Sequence, residues 1–239
     1  VATTNRLSAQ ATAASLSTAL IAILYDLDGT LSNTDPLHFR IWQEMLREYG
    51  IEIDETFYKA RISGRLNPAI VADLLPQLAP TAAEQFIWDK EARFRDLSPQ
   101  LQPLNGLHEI LHWAETRQLK QGVVTNAPVE NAHHTLKALH LESRFDQVVI
   151  SDLLGIGKPD PAPYRHALQQ FGIAPEQAIA FEDSPSGVRS AVAAGIPTIG
   201  IASTQEPQVL YAVGAMLVVP DFTASELWQQ LDRTWAATV

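Results

Sequence analysis

Six short apolar runs recur along the chain, at 21–25, 122–125, 147–150, 178–181, 197–201 and 216–219, and none alternates between polar and apolar residues. A strand with one wet face alternates, whereas a strand buried on both faces does not, so these runs read as parallel strands inside a covered sheet. Between them lie amphipathic stretches of helical length at 106–120, 129–141, 162–171 and 184–194. Strand and helix in regular alternation predict right-handed βαβ units and a doubly wound α/β sheet. One interval breaks the rhythm. Residues 36–102 carry helical patterns at 37–49, 66–75 and 81–96 and no convincing strand, and they are too many for a simple connection. The stretch 97–103, with two prolines, reads as a linker. The expected organisation is therefore an α/β core made of 21–35 and 103–239, an inserted helical unit at 36–102, and an N-terminal tail at 1–20.

Composition narrows the function classes. The 239 residues correspond to one or two domains. They include no cysteine, which removes disulfides, thiolate zinc sites and a cysteine nucleophile. With 17 basic against 27 acidic residues the chain carries −10, a poor charge for binding nucleic acid or an anionic membrane. Its apolar runs are far shorter than the roughly 20 residues of a membrane span. A soluble, monomeric, cytoplasmic protein is expected. Residues 1–20 are rich in Ala, Ser and Thr, with Arg6 the one charge. They read as a loosely ordered tail, with a remnant of an organelle transit peptide as the alternative.

In an open parallel sheet, ligands bind beyond the carboxyl ends of the strands. Those ends read Asp26-Leu27-Asp28-Gly29-Thr30, Thr125-Asn126, Ser151-Asp152 and Glu182-Asp183. A helix cap or a turn accounts for one aspartate at a strand end, but not for carboxylates and hydroxyls at four ends together. Carboxylates gathered at one edge repel unless a hard cation joins them, and an all-oxygen donor set favours Mg²⁺. Mg²⁺ shares its coordination with phosphate, so a small phosphorylated metabolite is the natural partner. Lys158 supplies a further positive charge.

Taken in order, Asp26-Leu27-Asp28-Gly29-Thr30, Thr125-Asn126-Ala127, Gly157-Lys158-Pro159 and Phe181-Glu182-Asp183 resemble the four motifs of the haloacid dehalogenase superfamily, in its phosphatase and phosphomutase branch. The likeness runs from about residue 20 to the C-terminus and implies a Rossmann-like core with an inserted all-helical cap. The stretches Asp35-Pro36-Leu37-His38, Lys90-Glu91, 125–132 and 158–164 look most like small sugar-phosphate phosphatases, with β-phosphoglucomutases close behind. Asn33 departs from many mutase relatives, which carry Asp there.

The resemblance implies that Asp26 attacks phosphorus and that Asp28 serves as acid and then base. Asp26, Asp183 and the Asp28 carbonyl would hold Mg²⁺, supported by Glu182. Thr125 and the amides beside it would bind phosphoryl oxygens, and Lys158 would stabilise the transferring group. Asn126, His38, Lys90 and either Arg65 or Asn67 match positions that contact substrate or steer the acid. A dehalogenase needs no acid at position 28. The alternatives are a hexose-phosphate mutase using the same residues, and a non-catalytic sensor of a phosphometabolite.

Several patterns read as structural. His108 and His112 fit a zinc-binding H-E-x-x-H spacing, yet Leu107, Ile110, Leu111 and Ala114 form an ordinary core stripe around them and no third ligand is evident. Residues 155–158 are not a phosphate-binding loop, because Pro159 replaces the required Ser or Thr. His133 and His134 read as a solvated helix face. Trp42, Trp88 and Trp113 lie in helical patterns and are expected in the core or between domains.

Overall fold

The computed structural model describes residues 19–236, Gly64 excepted. The expected tail thus lies almost wholly outside the described residues. Strand β1 (Ala22–Tyr25) is followed by four helices, α1 (Asp35–Arg47), α2 (Glu55–Arg61), α3 (Asn67–Leu74) and α4 (Pro80–Leu97), and then a 3₁₀ turn at Ser98–Gln100. The α/β alternation resumes with α5 (Leu107–Thr116), β2 (Lys120–Thr125), α6 (Val129–Ala138), β3 (Gln147–Ile150), α7 (Ser151–Leu154) and α8 (Ala162–Phe171). It ends with β4 (Ala178–Glu182), α9 (Pro185–Ala193), β5 (Thr198–Ile201), α10 (Pro207–Ala212), β6 (Leu217–Val219) and α11 (Ser225–Ala236).

All strand pairs are parallel, in the order β3-β2-β1-β4-β5-β6. Both faces are covered, which explains the missing alternation. Ile23 and Tyr25 belong to a cluster with Leu107, Ile110 and Leu231, while Ala22 and Leu24 pack with Tyr164, Ala167 and Ala191 on the opposite face. The chain builds outward from β1 to β2 and β3, then crosses back to place β4 on the other side of β1. That reversal opens a crevice at the carboxyl ends of β1 and β4, where a doubly wound sheet binds its ligand.

The helical insert leaves and rejoins the core along two adjacent strands of chain. Ser32 Oγ donates to the Gln102 carbonyl at 2.8 Å, and the Leu104 amide donates to the Leu31 carbonyl at 2.9 Å. Helix α2 has no counterpart among the sequence patterns, because it buries Tyr58 alone of its seven residues and so leaves no apolar period to read. Asp54 caps it, accepting from the Phe57 amide at 2.7 Å.

The tryptophans divide. Trp42 and Trp113 are buried, but Trp88 is 60% exposed, contrary to the core or interdomain position expected for it. On α4 the buried side chains are Phe86, Lys90, Glu91 and Phe94. Trp88, two residues from both Phe86 and Lys90, falls on the opposite side of the helix. His108, His112, His133 and His134 are exposed, as a solvated helix face requires. Among the described residues, no helix is long and apolar enough to cross a membrane.

Candidate active site

The first site loop follows β1 directly. The Asp26 amide donates to the Phe181 carbonyl at 2.9 Å, which continues the sheet one residue further, and the chain then turns sharply at Gly29. Gly29 has φ +83°, and a Cβ there would lie 2.1 Å from Asp183 Oδ2. Both the left-handed backbone and the approach of a carboxylate therefore demand glycine. Gly187, in the first turn of α9, is required by close approach alone: a Cβ would lie 1.9 Å from Glu182 Oε2.

Asp26, Glu182 and Asp183, all buried, present carboxylate oxygens within 4.8 Å of one another. Lys158 reaches into this cluster, with Nζ 2.5 Å from Asp26 Oδ1 and 2.5 Å from Glu182 Oε1. Tyr164 also donates to Glu182 Oε1 at 2.9 Å. Thr204 donates to the Asp183 carboxylate and Ser203 to the Gly29 carbonyl, so the loop after β5 braces the turn after β1.

Asn126 holds Lys158 through the backbone. Its Oδ1 accepts from the Lys158 amide at 3.0 Å, and its Nδ2 donates to the Lys158 carbonyl at 3.1 Å. Thr125 Oγ1 accepts from the Ala127 amide at 2.9 Å at the end of β2. In this structure Asn126 thus organises the lysine loop, a task its match to substrate-contacting positions did not suggest.

One ammonium faces three buried carboxylates, and the titration behaviour follows from that imbalance. Burial works against the Lys158 charge, but Asp26 and Glu182 outweigh it and hold the ammonium protonated above the ordinary lysine range. Burial, followed by the charges of Asp26 and Glu182, pushes Asp183 well above a normal carboxyl. Glu182 is pushed up by burial as well, against the pull of Lys158. A buried all-oxygen cluster short of positive charge is the donor set a hard divalent cation fits. Asp28 stands beside it. Burial first, and the Asp26 charge second, raise its pKa to about 7, and its Oδ1 is buried without a hydrogen-bond partner.

The insert supplies the facing wall of a cavity of about 400 Å³. On that wall Lys90 Nζ lies 3.1 Å from His38 Nδ1 and 2.8 Å from Glu91 Oε1. An ammonium only donates, so His38 Nδ1 is the acceptor and the ring is the neutral Nε2–H tautomer. Burial and the Lys90 charge both hold its pKa well below the usual value. The His38 ring stacks on Phe94, with centroids 4.4 Å apart. Glu91 also accepts from Asn67 of α3 and from Asn131 of α6. Arg65 lines the cavity, but its guanidinium bonds Asp73 at 2.9 Å and the Arg61 carbonyl at 2.6 Å.

Fold and site together define an enzyme of the doubly wound α/β class, with its carboxylates at the sheet's switch point and a helical insert over them. Residues 23–201 match a family model described as haloacid dehalogenase-like hydrolase, and the chain belongs to that family. It is 30% identical over 196 residues to validoxylamine A 7′-phosphate phosphatase from Streptomyces hygroscopicus subsp. limoneus, covering 81% of this chain and 91% of the relative. It is 31% identical over 202 residues to a phosphorylated carbohydrates phosphatase from Thermotoga maritima, covering 83% and 93%. The crystal structure of a putative beta-phosphoglucomutase from Thermotoga maritima superposes with a TM-score of 0.71 at 28% identity, over 89% of this chain and 99% of that one. The family expected from the four motifs is the family found.

Proposed function

We propose that the chain is a Mg²⁺-dependent phosphatase of small sugar or polyol phosphates, working through an aspartyl-phosphate. The observation that carries this reading is the pairing of Asp26, held in the charged cluster by Lys158, with Asp28, a carboxyl with a pKa near 7 two residues on. In the first step an Asp26 carboxylate oxygen attacks phosphorus while the ester P–O bond breaks, and the departing oxygen takes the Asp28 proton. In the second, water attacks the phosphorus of the acyl phosphate and gives a proton back to Asp28, which frees phosphate and restores Asp26. Lys158 stays protonated throughout and offsets charge on the transferring group. Thr125 and the neighbouring amides would bind phosphoryl oxygens.

Asp26, Asp183 and the Asp28 carbonyl would hold the Mg²⁺, with Glu182 behind them. The cation, when bound, supplies charge neutralisation for the phosphoryl group. Residues 21–35 and 103–239 would act as the phosphotransfer core. Residues 36–102 would act as a cap that excludes bulk water and places His38, Asn67 and Lys90 toward the substrate.

The names of the two phosphatase relatives support the sugar-phosphate class. The resemblance to a putative mutase keeps phosphoryl return to a second hydroxyl as the competing outcome. A panel of phosphorylated sugars and polyols, assayed with and without Mg²⁺, tests the reading. Metal-dependent phosphate release, abolished in Asp26→Asn, is expected. Conversion of glucose 1-phosphate to glucose 6-phosphate without release would favour the mutase, and undiminished release by Asp26→Asn would refute the nucleophile.

A further inference from the structure

The cavity is lined by three basic side chains, and each is already engaged by a carboxylate. Lys158 lies between Asp26 and Glu182, Lys90 against Glu91, and Arg65 against Asp73. Lys90 is buried in the cap wall, 3% exposed, and its pairing is locked from several directions. Glu91 Oε1 takes both Lys90 and Asn67, and its Oε2 takes the amide of Asn131, which reaches across from α6. Asn131 is fixed in turn, because its Oδ1 accepts from Arg95 at 3.0 Å. Turning Glu91 away from Lys90 would strand two amide donors at a buried site.

We propose that Glu91 is a specificity-determining residue. By neutralising Lys90 it limits the cap to phosphate monoesters with an uncharged, hydroxyl-bearing body and excludes those with a second phosphate or a carboxylate. This rests on the phosphatase reading above and narrows its substrate class. The reacting phosphate meets Lys158 and the carboxylate cluster that would hold a cation. A second anion brought to Lys90 meets the Glu91 carboxylate already 2.8 Å from the same Nζ, and gains no net attraction for the water it gives up. A hydroxyl carries no such penalty. Lys90 directs two of its three protons to His38 and Glu91, and the third suits a sugar oxygen. Arg65 is the other cavity-lining cation of the insert, and it is tied to Asp73 with its side chain 36% exposed.

The test compares kcat/KM for glucose 6-phosphate and sorbitol 6-phosphate with that for fructose 1,6-bisphosphate and phosphoglycolate, under saturating Mg²⁺. The wild type should favour the neutral-bodied pair by roughly tenfold or more. Glu91→Gln should shrink that ratio by roughly tenfold, mainly through KM for the doubly anionic esters, and Lys90→Met should enlarge it. Equal or greater activity of the wild type on the doubly anionic esters would overturn the proposal. An unchanged ratio in both variants would do the same, as would a bisphosphate preference that vanishes in Arg65→Ala. If Glu91→Gln melts at the assay temperature, the wild-type ratio and Lys90→Met decide. If no ester releases phosphate, the phosphatase reading has failed. Calorimetric binding of the same four esters with Mg²⁺ then decides the charge filter: tighter neutral-bodied ligands uphold it, and equal or weaker ones end it.

Discussion

Gly29→Ala separates the geometry of the site from the stability of the fold. The added Cβ would lie 2.1 Å from Asp183 Oδ2 and 2.4 Å from Asp183 Cγ, where even the shortest real contacts reach 3.0 Å. The carboxylate must therefore retreat by about 0.9 Å at the least. Asp183 cannot retreat freely, because Thr204 holds it and Asp26 and Glu182 lie within 4.8 Å. A misplacement of about 1 Å at a reacting centre costs roughly 100-fold in rate. The backbone penalty is separate and smaller: alanine at φ +83° costs roughly 1–2 kcal/mol. For a domain of this size that lowers Tm by about 2–8 °C and leaves a folded protein. The assay pairs kcat/KM for the best ester of the panel with a thermal melt and a Mg²⁺ titration. A modest fall in Tm, a roughly 100-fold loss of kcat/KM and weakened Mg²⁺ binding are expected together. A variant with the lower Tm but activity within about twofold of wild type would show that the position of Asp183 is not used, and the metal assignment would fall with it.

Other perturbations address the remaining groups. Asp28→Asn should slow turnover by roughly 10²–10⁴-fold while a Mg²⁺ titration is little changed, and intact turnover would remove Asp28 as the acid. Because burial holds the Asp28 carboxyl near pKa 7, release from an alkyl ester should decline as pH rises through about 7. With p-nitrophenyl phosphate, whose leaving group needs no proton, that limb should vanish, and a shared profile would point to another acid. Mg²⁺ at about 100 times its Kd should stabilise the fold by about 2.7 kcal/mol in a melt, and Asp183→Asn should lose most of that gain. His38 is held neutral in the fold, whereas the unfolded chain takes up its proton below about pH 6.5. Its contribution to stability is thus lost as pH falls, at up to about 1.4 kcal/mol per pH unit, and denaturant titrations of His38→Gln should lack that slope.

Much of this architecture was readable one segment at a time. The run 21–25 declares a strand buried on both faces, and β1, β2, β4 and their neighbours fall where such runs occur. The residues that follow those strands, Asp26, Asp28, Thr125, Glu182 and Asp183, converge because parallel strands all end at one edge. Gly29 stands in the first motif, but the reason for it is the Asp183 carboxylate arriving from another segment, and Gly187, which meets Glu182, belonged to none of the motifs. Helix α2 and the exposed side of Trp88 were not legible, since one buries too little to show a period and the other depends on which face of α4 meets a neighbour.

Local periodicity and strand-end chemistry, both set by residues within a few positions of each other, were enough to establish the α/β core, the helical insert and the acids at its mouth. Partnerships across long stretches of chain were not. Glu91 and Asn131 stand 40 residues apart, and Asp26 and Lys158 stand 132 apart. No spacing rule connects such pairs. They meet because sheet order and helix packing bring them together, and there a buried charge must find a partner or lose its ionisation.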